Sequence, residues 1–130
     1  MDTRYISEYY TDVAEKIINE EPALGHIVES DVQIVYLSSK HNKKAKGKTV
    51  YAECEKISDK YKWGIPADFT ITVFEPNVTD FTEEQIRILL FHELLHVGIE
   101  GDKYSVRPHD LEDFAMIIDR FGTDWDKTTE

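Results

Sequence analysis

One cysteine, Cys54, cannot close a disulfide within the chain and cannot build a thiolate zinc cluster. No apolar run approaches the roughly 18 residues that would read as a membrane-spanning helix. The opening residues carry no basic stretch followed by an apolar core, so no secretory signal is expected. Internal repeats, low-complexity tracts and Pro/Ser-rich linkers are also missing, which fits a single domain over residues 1–130. Positive charge is in short supply: 15 Lys and Arg face 26 Asp and Glu, for a net charge of −11. That balance favours solubility and works against general binding to nucleic acid or to an anionic membrane. These absences together point to a cytoplasmic protein.

What is present is an ordinary globular mixture, 41% hydrophobic and 32% charged, long enough to bury its own core. Lys40, Lys43, Lys44, Lys46 and Lys48 crowd around Gly47 and are the one basic exception. They read as a solvated loop between two strands, with a weaker alternative as a contact for nucleic acid or another acidic partner.

Helical spacing of Ile6, Tyr9, Tyr10, Val13, Ile17 and Ile18 predicts a first helix over residues 6–20, punctuated by Pro22 and Gly25. Three strands follow, at about residues 32–37, 49–57 and 68–74. In the second, Val50, Ala52 and Cys54 share one face and Tyr51, Glu53 and Glu55 the other. Thr82 with Gln85 forms a capping box, and Phe81 with Ile86 is placed for a hydrophobic staple. The helix they open is apolar almost all round, from Ile86 to Val97, as in a buried helix. A loop and a last helix from about Pro108, with Leu111, Phe114, Ala115, Ile118 and Phe121 as its stripe, complete an α+β order. The expected sheet has about three strands and is mostly antiparallel.

The buried helix contains His92-Glu93-Leu94-Leu95-His96, an HExxH motif. Residues four apart share a helical face, so both imidazoles can reach one metal ion, and neutral imidazole suits Zn²⁺. Glu93 lies beside that face, where its carboxylate can take a proton from water activated by the metal. Shuffling this composition would produce the string in roughly two chains per hundred, so the apolar context carries much of the weight. Carboxylate and imidazole in such a helix are costly without a partner. A catalytic zinc usually takes three protein ligands. Candidates for the third are Glu100, Asp102, His109, Asp110, Glu112 and Asp113. His109 is the best chemically, at the start of the last helix. Asp113 could ligate or orient a ligand histidine, Asp110 could cap the helix, and Tyr104 and Arg107 could stabilise an oxyanion.

These residues resemble the phage metallopeptidase family. The likeness is carried by the run from Leu89 to Val97, by the run from Pro108 to Phe114, by Gly122, Asp124 and Trp125, and by the strand before the motif at residues 67–71. It covers roughly residues 45–125. The resemblance implies a zincin-like fold, a short sheet packed on the HExxH helix, and a phage or prophage origin in a bacterial host. The arrangement is also similar to SprT-like proteases, where a third histidine follows after a comparable loop. No Gly-x-x-His follows His96, so the metzincin pattern is absent. The Glu112-Asp113-Phe114-Ala115 string is faintly similar to ImmA/IrrE peptidases, which would make Glu112 the ligand. Pro108-His109-Asp110 fits that family poorly. The expectation is therefore a zinc-dependent hydrolase for peptide or protein substrates, with His92, His96 and His109 on the metal, Glu93 as general base, and the strand at residues 68–74 as an edge that could pair with an extended peptide. Its rivals are a small-molecule amidase and a non-enzymatic, zinc-braced or vestigial interaction module.

Overall fold

Residues 3–58, 64, 67–100 and 103–107 are described in the computed structural model. The expected last helix, the 122–125 tail and the candidates Asp102, His109, Asp110, Glu112 and Asp113 lie outside them.

Ser7 decides where the first helix starts. Its backbone is extended and its side chain accepts from the Tyr10 N–H, so it caps α1, Glu8–Glu20. Residues before the cap form a short strand, β1 (Arg4–Ile6), instead of the helical turn expected there. Ile6 is accordingly exposed, and α1 buries Tyr10, Ala14 and Ile17. Gly25 does not end this helix; after a 3-10 turn at Pro22–Leu24 it opens a four-residue helix, α2 (Gly25–Val28).

Among the described residues the main sheet has four strands, in the order β1, β2 (Ile34–Ser39), β6 (Phe69–Phe74), β5 (Ala52–Lys56), with β1 and β5 at its edges. β1–β2 and β6–β5 are antiparallel, in keeping with a mostly antiparallel sheet, while β1 itself is additional to the expected strands and β2 and β6 run parallel. β6 therefore lies inside the sheet, and the edge beside the HExxH helix is β5. Burial follows from this position: Phe69, Ile71 and Val73 face the core, and Thr72 on the other face accepts from the Arg4 guanidinium at 3.0 Å. Glu75, just past β6, accepts from Ser38 and Tyr5, and these bonds hold its carboxyl below the usual carboxylate range. They also tie β1 and β2 to the end of β6.

The lysine-rich loop is a hairpin of β3 (Lys44–Ala45) and β4 (Lys48–Thr49). Lys46 and Gly47 both have positive φ at its tip, as a tight hairpin turn requires. Asn77 donates to the carbonyls of Lys43 and Val50 and staples its base. Lys43 is paired with Glu53 at 2.5 Å, and Lys40 stands over the Tyr5 ring, so part of the positive charge is turned back onto the sheet.

Thr82 caps α3 (Glu83–Leu95) with the full capping box: Gln85 N–H donates to Thr82 Oγ1, and Thr82 N–H donates to Gln85 Oε1. Phe81 packs on Tyr51, with ring centres 5.0 Å apart. From Gln85 to Leu95 every residue but Arg87 is buried. The helix ends at His96, short of Gly98, because the chain turns into β7 (Val97–Glu100) and returns as β8 (Lys103–Val106). What reads as a loop is an antiparallel β-hairpin. The core lies between one face of the sheet and the helices, with α1 beside β2 and α3 beside β5. Among the described residues no helix is long and apolar enough to cross a membrane.

Candidate metal centre

His92 and His96 come together at the C-terminal end of α3, with ring centres 5.3 Å apart and planes inclined by 57°. Two imidazoles on one tetrahedral ion, each bonded at about 2.0–2.1 Å, would hold their ring centres roughly 5 Å apart. The spacing thus fits a shared metal. Both histidines are 9% exposed and Glu93 is 5% exposed. The Glu93 carboxylate lies 4.0 Å from His92 Nε2. Keeping three ionisable groups in this interior is costly unless they satisfy one another or a ligand.

His96 Nδ1 is hydrogen-bonded to the carbonyl of Arg107. A carbonyl only accepts, so Nδ1 carries the proton, and in the neutral ring Nε2 keeps the lone pair that a metal needs. Among the described residues no group of three or more His, Cys, Asp or Glu is placed to hold a metal ion. A third protein ligand would have to come from elsewhere in the chain.

A cavity of about 370 Å³ opens between α3 and β5. His92, Glu93 and His96 line it, the stretch from Thr49 to Cys54 forms its wall, and Leu89 and Val106 complete the apolar part. Cys54 shares this wall but is no thiolate: burial pushes its thiol up, and the Glu93 and Glu55 carboxylates add to the rise. In metal-free protein at pH 8, iodoacetamide should alkylate Cys54 more than an order of magnitude more slowly than in the urea-unfolded chain. Equal rates by mass spectrometry would show that the thiol is neither shielded nor suppressed.

Other expected site residues fall elsewhere. Glu100 is exposed and pairs in register with Lys103 at the far end of the hairpin. Tyr104 packs its ring against Phe69 at 5.9 Å, and Arg107 donates through Nε to the Leu95 carbonyl at 3.0 Å. Neither is among the cavity-lining residues, and these contacts fit the structural alternative to an oxyanion role. The sequence reading missed the β5 wall, Leu89 and Val106. Leu89 had a usable signal, since it stands one turn before His92 and Glu93. Val106 had none, because nothing local marks its strand as returning to the helix end.

A helix that buries two imidazoles and a carboxylate beside the edge of an α+β sheet has the make-up of a metal-dependent hydrolase. The chain belongs to the family described as putative phage metallopeptidases, which it matches over residues 3–130. No curated protein and no solved structure matches it.

Proposed function

We propose that the chain is a zinc-dependent peptidase, with a zincin-like arrangement of His92, His96 and His109 as ligands and Glu93 as general base. The observation that carries this is the His92–His96 pair, spaced for one ion and adjacent to a buried carboxylate. His109 enters on its chemistry and its place in the sequence. Zinc in that position supplies Lewis acidity toward a peptide carbonyl and toward water near neutral pH. Glu93 removes the proton from the attacking water as the new C–O bond forms, then gives it to the amine as the C–N bond breaks. The wall that faces this chemistry is β5, an edge strand of the main sheet. Backbone groups along an edge strand can pair with an extended peptide, which favours a peptide over a small amide. This corrects the expectation that residues 68–74 would offer that edge.

Elemental analysis of purified wild type, His96→Ala and His109→Ala tests the site. Wild type should hold about one zinc per chain, and both variants should retain far less. A wild-type chain that takes up no zinc from a supplemented buffer would end the proposal. Full retention in His109→Ala would move the third ligand to Glu112 or Asp113.

A further inference from the structure

We infer that the β7–β8 hairpin is a clamp that fixes the tautomer of His96, with Arg107 as the positioning residue and Gly98 as the residue that lets the clamp close. The geometry stands on its own; its consequence for metal affinity rests on the zinc reading above.

A helix ends with backbone carbonyls that its own turns cannot satisfy. Arg107 meets two of them at the end of α3. Its Nε donates to the Leu95 carbonyl at 3.0 Å, and its backbone N–H donates to the His96 carbonyl at 2.6 Å. The Arg107 carbonyl then accepts from His96 Nδ1. One residue thus holds the backbone of the last turn and the ring of the histidine on it. If Arg107 shifts, the ring loses its acceptor and the turn loses two donors together.

Arg107 is delivered by strand pairing. β7 leaves α3 directly, and β8 returns with Val106 opposite Val97 and Ser105 opposite Gly98. From the other side, His26 Nε2 donates to the Val97 carbonyl at 2.9 Å and ties β7 to α2. Gly98 is the tight point. A Cβ there would stand 2.7 Å from Ser105 Oγ, 2.8 Å from Arg107 Cγ and 3.0 Å from the Ser105 carbonyl. The side chains could move aside, but the Ser105 carbonyl is backbone, so β8 would have to give by a few tenths of an ångström and carry Arg107 with it. Ligand histidines are ordinarily oriented by a hydrogen bond at their second nitrogen, and here a backbone carbonyl supplies it.

The test uses the metal-free chain of residues 1–130 with ¹⁵N-labelled histidine rings, read by two-bond ¹H–¹⁵N correlation. His41, exposed on the surface, serves as the reference ring. In wild type, His96 should appear as the Nδ1–H tautomer. In Arg107→Met and in Gly98→Ala it should shift to a mixture of tautomers, and zinc should bind about 10-fold more weakly. Arg107→Met keeps most of the side chain's apolar stem and decides the matter if Gly98→Ala fails to fold. An Nε2–H tautomer at His96 in wild type overturns the inference. So does an Arg107→Met variant with wild-type tautomer and wild-type zinc affinity. A wild type that binds no zinc overturns the peptidase reading, while its tautomer spectrum still decides the clamp.

Discussion

Glu93→Gln should leave zinc bound and lower peptide turnover by about 10²- to 10⁴-fold, the range that general-base groups contribute. The substitution keeps the shape of a side chain that is 5% exposed, so packing at the end of α3 is little disturbed. It removes the one property the reaction needs, since an amide does not take up a proton near neutral pH. Turnover of a fluorogenic peptide library and zinc content, measured on the same preparation, check this. Loss of zinc together with activity would show that the carboxylate holds the site in place, and the general-base assignment would be wrong.

Leu94→Ala should show the converse. Leu94 is fully buried, and it lies two residues from each histidine, roughly 200° around the helix from both. Its side chain packs into the core and away from the metal face. Truncation should cost about 2–5 kcal/mol in urea unfolding of the metal-free chain. Against a typical total of about 5–15 kcal/mol, that is a large share. Zinc stoichiometry in the folded fraction should not change. A loss below about 1 kcal/mol would mean that the core relaxes around α3 more freely than its burial indicates.

The two variants separate what could be read in advance from what could not. The start of α3 was legible to the residue, because Thr82 and Gln85 satisfy the first backbone donors of the helix with side chains visible in the string. The meeting of His92 and His96 was legible as well: i, i+4 spacing places two imidazoles on one face wherever the helix lies. The three central strands were legible from β-branched runs and alternation, within about two residues at most ends.

Pairing was not legible. Alternation in residues 68–74 says which face is buried and nothing about which strands flank it. The edge was therefore assigned to the wrong strand, and β5 emerged as the cavity wall only from the order β1-β2-β6-β5. β1 was absorbed into the first helix because Ile6 fits the helical spacing of Tyr9 and Tyr10. The Ser7 cap and the pairing of Arg4–Ile6 with β2 outweigh that periodicity. Gly98 and Gly101 read as helix stops in the sequence, which hides the β7–β8 hairpin. Gly98 instead stands where a Cβ would crowd Ser105 and Arg107 on the returning segment. Tyr104 and Arg107 were singled out for their chemistry, but a ring contact and the helix's own carbonyls account for them.

Burial of α3 on nearly every side has a consequence for timing. The turn that carries His92 and His96 is shaped by the core beneath it and by the hairpin at its end, all made of the chain's own atoms. Zinc fingers differ in that the ion itself drives folding. Here the packing that shapes the turn is supplied by the core and the hairpin. On the zinc reading proposed above, competence would begin when metal arrives, and metal supply rather than maturation of the polypeptide would set its timing.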